Sequence, residues 1–194
     1  MKESPMKEDF MKHASPPPRF SGPSLQPINP NLLLPPPRLW FITVTLLIAL
    51  LFDLFPLSEM LTPWRPELVA LTLLYWCIWA PRFIGVSVGF LLGLVMDVAN
   101  GSALGQHAFA FTLLAFGADY FRRRVASFPM WQQMVFVALL LELCALVVFL
   151  ARMMSGGALS FGVVYFIVPL LTALLWPLMQ FLLQWQQRRA ALSD

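Results

Sequence analysis

The segment MWQQMVFVALLLELCALVVFLAR, Met130 to Arg152, holds a single acid, Glu142, before its closing arginine. About 20 such residues wound as an α-helix span the hydrocarbon of a bilayer. A run of this kind must be buried in a large soluble core or dissolved in lipid, and the rest of the chain decides which. Of the 194 residues, 59% are apolar and 12% charged, where soluble domains carry roughly 45–50% and about 25%. Lipid is the solvent that this balance requires.

Five further apolar runs are separated by charge or by turn residues. The six expected spans run from Arg38 to about Leu57, Pro66 to Ala80, Phe83 to about Val98, Leu104 to Tyr120, Met130 to Arg152 and Phe161 to Gln184. Pro66, Pro81 and Pro129 stand at segment edges, where a missing N–H costs least. The expected fold is an all-α integral membrane domain of six transmembrane helices over residues 38–189. The second and third runs are short for a full crossing, so a re-entrant hairpin of the third and fourth stays open; it preserves the parity. Residues 1–37 hold ten of the seventeen prolines and no apolar run, the composition of a disordered tail. They offer no apolar core for a secretory signal. Residues 190–194 form a short second tail. Cys77 and Cys144 lie inside apolar segments at no zinc or redox spacing.

Positive residues remain on the cytoplasmic side of short loops. With the N-terminus inside, eleven of the thirteen Lys and Arg residues fall on that side, and only Arg65 and Arg152 lie outside. Both ends are therefore expected in the cytoplasm. Trp40, Trp131, Trp176 and Trp185 supply candidates for an aromatic belt. Arg122, Arg123 and Arg124 close the fourth run; three arginines there serve topology and anionic lipid headgroups, and nucleic acid is not the expected partner.

The stretch MDVANGSALGQHAF, Met96 to Phe109, is the polar exception, expected as the outer turn between the third and fourth spans. Asn100, Gly101 and Ser102 are a turn signal, with Ser102 a candidate cap for the fourth helix. Leading into it, Gly85, Gly89, Gly93 and Asp97 recur every four residues on one helix face. Such a glycine stripe lets a second helix approach to backbone contact; a helix of this chain is the expected partner, with another protein as the alternative. Asp53, Asp97 and His107 are expected toward the outer side. Glu142, about 18 Å into the fifth span, lies near mid-bilayer, where an acid is costly unless protonated, paired or wetted; it is expected to be buried against other helices. Asp53, Asp97, Asn100, Gly101, Gly105, His107 and Glu142 are the candidate ligand or partner site. The plainer reading of Asp97 and His107 is a hydrogen bond to each other and to the loop backbone.

Catalytic patterns are few. Gly85 to Gly89 reads GVSVG, and Ser87 with Asp97 and His107 makes a nominal triad. That motif needs a strand, a turn and a helix around the serine, and here it lies in an apolar helix. With only His13 and His107 present there is no metal-ligand cluster, and no GxxxxGK loop exists for a nucleotide. Neither an enzyme nor a cofactor is expected.

The segment GLVMDVANGSALGQHAFAFTLLAFGADYFRRR, followed by FPMWQQ at Phe128 to Gln133, resembles the rod shape-determining MreD family. The resemblance covers about Arg38 to Arg189. In that pattern Asp97, Gly101, Gly105 and His107 match the loop motif, and Trp131, Gln132 and Gln133 the opening of the fifth span; Asp53 and Glu142 match nothing. The resemblance implies a bacterial inner-membrane protein of the elongation complex that assists MreC and, through it, MreB, RodA and a class B penicillin-binding protein. It also implies a six-helix fold similar to the substrate-binding subunit of energy-coupling-factor transporters. A non-catalytic scaffold binding MreC, with self-association left open, is the expected function. The alternative is a subunit binding a small molecule or lipid-linked precursor in an outer-facing pocket, and an intramembrane hydrolase built on Ser87 is a remote third.

Overall fold

The computed structural model describes residues 38–56, 64–155 and 164–192; the expected tail at 1–37, the start of the sixth run at 161–163 and the last two residues lie outside them. Among the described residues the secondary structure is helical throughout: α1 (Leu39–Leu54), α2 (Leu68–Trp79), α3 (Val86–Ala99), α4 (Gln106–Ser127), α5 (Met130–Met154), α6 (Val164–Leu174) and α7 (Trp176–Leu192). The 25-residue α5 and the 26-residue stretch Val164–Arg189 are long and apolar enough to cross a membrane, whereas α1, α2 and α3 are shorter apolar helices.

Helix α2 is the hub. It is apolar all the way round, and ten of its twelve residues are buried, which is what a helix without a polar face requires. α1, α4, α5, α6 and α7 all pack on it, while α3 packs on α4. Its short length follows from Pro66 just ahead of it and Pro81 just after. Two polar contacts fasten the apolar packing: Trp76 donates its indole N–H to Thr45 Oγ1 on α1 at 2.9 Å, and Trp176 donates to Gln133 Oε1 on α5 at 3.2 Å. The outward faces carry large apolar side chains, Leu47, Ile48 and Leu51 of α1 and Phe109 and Phe116 of α4 among them, a surface suited to acyl chains rather than water.

Two boundaries differ from expectation. The fourth helix continues seven residues past Tyr120, carrying Arg122, Arg123 and Arg124 on regular helix and ending at Ser127, just before Pro129. Charge ends a membrane span but does not end a helix. The sixth run is broken at Leu175 into α6 and α7, because Pro177 has no N–H to donate to residue 173. Leu175 N–H bonds Thr172 O at 3.0 Å across the break. Trp176 at this break is fully buried, so it belongs to the core and not to an interfacial belt.

Candidate functional site

The polar turn is a device for starting α4. The first N–H groups of any helix have no partner within it, and at the edge of a hydrocarbon layer water is a poor substitute. The N-cap of α4 is Gly105, at φ 103°, a left-handed conformation open to glycine and without a side chain to cap anything. Asp97, fully buried at the end of α3, supplies the acceptor instead. Its Oδ2 accepts from Gly105 N at 2.8 Å and Ala108 N at 3.3 Å, and its Oδ1 from His107 N at 2.9 Å. Gln106 N bonds Ala103 O at 3.4 Å and Phe109 N bonds Gly105 O at 2.9 Å. Every N–H from Gly105 to Phe109 is thereby paired, and the acid sits at the positive end of the α4 dipole.

Side chains complete the ring around Asp97. His107 Nδ1 lies 2.8 Å from Oδ1, and Ser102 Oγ donates to the same oxygen at 3.0 Å. Ser102 therefore does not cap α4 itself; it closes the turn onto Asp97, with its own N–H bonded to Asp97 O at 3.0 Å. Gly101, at φ 60°, provides the left-handed residue that the turn needs. Asn100 is the exposed C-cap of α3 and makes no hydrogen bond to the carboxyl.

Glycines bring Asp97 to its place. A Cβ on Gly93 would collide with the backbone of His107 and Ala108, and one on Gly89 would meet Phe111 O at 2.7 Å and Ala115 Cβ at 3.1 Å. The stripe thus packs against α4 of the same chain. Gly85 is a correction to the expected packing set: it is the N-cap of α3, and a Cβ there meets nothing within 4 Å. A further close approach, Gly117 of α4 with Leu140 Cδ2 of α5 at 3.0 Å, has no repeat in the sequence to signal it.

Asp53 repeats the device at the previous helix pair. Buried at the end of α1, it accepts from Leu68 N at 3.1 Å and Val69 N at 2.8 Å, the first residues of α2. Arg65 closes the other side by donating to the carbonyls of Asp53 and of Phe55, the latter at 2.6 Å, so the C-terminus of α1 has a cation on it. Sequence reasoning placed Arg65 only as an exception to the positive-inside bias. That exception was the available signal, since an arginine set against the expected bias calls for partners within the structure. Glu67 N also bonds Thr172 Oγ1 of α6 at 3.3 Å.

The expected site therefore separates. Asp97, Gly105 and His107 form one cluster, with Gly101 in its turn; Asp53 has its own partners; Glu142 belongs to neither. Glu142 is also not buried against other helices: it is half-exposed on α5, among Leu139, Leu143 and Leu146 on the outward face. Of the motif opening α5, Gln133 is buried, donating to Phe128 O at 2.9 Å and accepting from Trp176, whereas Trp131 is exposed. The nominal triad fails on geometry, because Ser87 is exposed in the first turn of α3 and Asp97 ends it, ten residues or about 15 Å away along the axis. Among the described residues no three His, Cys, Asp or Glu side chains are grouped to hold a metal.

The sequence itself has relatives among known proteins. A family model for the rod shape-determining protein MreD matches residues 38–186. The rod shape-determining protein MreD of Haemophilus influenzae is 30% identical over 116 residues, 58% of this chain and 70% of that protein. No solved structure matches. The family match takes in α1 to α6 and most of α7, and the chain belongs to the MreD family of rod shape-determining proteins.

Proposed function

We propose that this chain is a non-catalytic scaffold of the bacterial inner membrane that binds MreC and so helps position peptidoglycan synthesis during elongation, with MreB, RodA and a class B penicillin-binding protein as indirect partners. It crosses the membrane six times, α6 and α7 together making the sixth, with both ends in the cytoplasm and the Asp97 turn outside. A likeness to the energy-coupling-factor substrate-binding subunit belongs to the same reading.

The observation that carries it is the use of the polar groups. The two oxygens of Asp97 take five donors, three of them backbone N–H groups from the N-cap and first turn of α4. Two carboxylates, Asp53 and Asp97, each fasten one helix to the start of the next, which builds a rigid body and leaves neither acid free for a substrate. A pocket for a small molecule or lipid-linked precursor needs several convergent polar groups that are not already spent on one another; in the turn Asp97, Ser102 and His107 Nδ1 are spent on one another, and Gln106 Oε1 is the one buried side-chain acceptor there left without a partner among the described residues.

The test is purification of the full-length chain from membranes in which MreC is co-expressed. MreC is expected to remain bound through detergent extraction and gel filtration, and His107→Ala, which leaves the backbone donors to Asp97 in place, is expected to keep it. A folded chain eluting without MreC contradicts the scaffold; loss of a bound small molecule by His107→Ala with MreC retained favours the pocket.

A further inference from the structure

Glu142 stands twelve residues from each end of α5. At 1.5 Å per residue that is about 18 Å from either end, so its depth is mid-bilayer whichever way the helix runs. It is half-buried at the border of the outward face, and among the described residues no hydrogen bond or ion pair reaches its carboxyl. The face opposite, with Val137, Leu141, Cys144 and Val148, is the one packed into the protein. An acid facing acyl chains without a partner is costly in either protonation state, so an occupant is required that lipid tails cannot supply.

The neighbours describe its shape. Val135, Leu139, Glu142 and Leu146 follow one another at spacings of four, three and four, and the three apolar members are 54%, 64% and 42% exposed. Met153, 48% exposed, continues the stripe one heptad after Leu146. Alternating spacings of three and four make the seam by which one helix pairs with another along its length, and a single polar residue on such a seam fixes register and partner at some expense of stability. Helical geometry turns Glu142 toward the edge of the stripe that also bears Phe149, whose ring packs on Tyr165 and Phe166 of α6.

We infer that this stripe of α5, at its border with α6, is the docking seam for one transmembrane helix of another chain that presents a hydrogen-bond donor side chain at mid-depth, opposite Glu142. A second copy of this chain is the poorer occupant, since symmetric pairing on the seam sets acid against acid. The inference rests on the scaffold reading and names the surface that the scaffold uses.

The experiment places a photo-crosslinking amino acid at Leu139 or Leu146, and at the lipid-facing Leu47 of α1 as a control, in the full chain co-expressed with MreC. Crosslinks from Leu139 and Leu146 to the MreC membrane helix are expected, with Leu47 silent. Glu142→Leu should lower the Leu139 crosslink by about ten-fold, and Glu142→Gln, which still hydrogen-bonds, should hold it within about two-fold. The detergent-purified Glu142→Leu chain alone should melt no lower than wild type, since leucine replaces an unpaired acid on a lipid-facing surface. Crosslinks from Leu47 only, or a Leu139 crosslink indifferent to Glu142→Leu, overturn the seam and leave the scaffold standing. A crosslinked dimer of this chain through Leu139 overturns the choice of occupant. Failure of MreC to co-purify with the wild-type chain removes the scaffold reading, and the seam with it.

Discussion

Gly93→Leu is expected to leave no folded protein. The Cβ that any other residue brings would run into the backbone of His107 and Ala108, and backbone cannot step aside as a flexible side chain does. α3 and α4 would have to separate along their whole contact, and with them would go the placement of Asp97 against the start of α4. Gly93→Ala should already cost at or beyond the upper end of the about 1–3 kcal/mol typical of overpacking. Gly89→Ala should cost less, since Phe111 O at 2.7 Å and Ala115 Cβ at 3.1 Å are displaced by smaller shifts. Gly85→Ala should be near neutral, because nothing lies within 4 Å of its Cβ. Thermal unfolding in detergent, read as loss of helical circular dichroism or of monodispersity, ranks the three; a Gly85 variant as damaging as the Gly93 variant would contradict the packing described.

Asp97→Ala is the second large effect. It removes the acceptor from Gly105, His107 and Ala108 N–H together with the partner of the His107 ring. A single buried donor left unpaired costs about 1–3 kcal/mol, so the set should cost about 3–5 kcal/mol, enough to fray the first turn of α4. Asp97→Asn should be nearly as harmful, because its amide group sets an N–H against the N–H groups of Gly105 and Ala108. His107→Ala, by contrast, leaves the three backbone bonds intact and should cost about 1 kcal/mol. Hydrogen exchange at residues 105–109 distinguishes the outcomes: rapid exchange in both Asp97 variants and near-native protection in His107→Ala. Equal effects of Asp97→Asn and His107→Ala would show that the ring contact, not the helix cap, is what matters.

Much of the fold was legible because a bilayer leaves a sequence few choices. Charge and proline divide the apolar runs; the first, second, third and fifth each became one helix near its expected place, the fourth ran on past Tyr120 to Ser127, and the sixth became two. The period of four that singled out Gly89 and Gly93 marks a face, but periodicity does not say what lies opposite. That is why Gly85, on the same stripe yet at the N-cap of α3, was grouped with two glycines whose role it does not share. Asp53 and Asp97 stood out as acids in apolar company, whereas their common task did not, since capping across helices depends on where the next helix starts in space. Glu142 stands midway along α5, as counting places it, but at the edge of the exposed face and not buried among other helices: position along a helix follows from counting, but the buried face of a helix apolar all round depends on its neighbours. Pro177 marks the break at Leu175 in the sequence, but the hydropathy is continuous on either side of it, and hydropathy alone does not divide the run.

The central claim is that lipid surrounds this chain, with the Asp97 turn on the outer side and the C-terminal end of α7 inside. Its most direct measurement uses single cysteines at two exposed positions, Ala103 in the turn and Gln186 in α7, in intact cells treated with a membrane-impermeant maleimide. The native Cys77 and Cys144 are buried and give little background. Ala103→Cys should label at once and Gln186→Cys only after permeabilisation. Labelling of Gln186→Cys in intact cells, or protection of Ala103→Cys until the membrane is opened, would contradict the account.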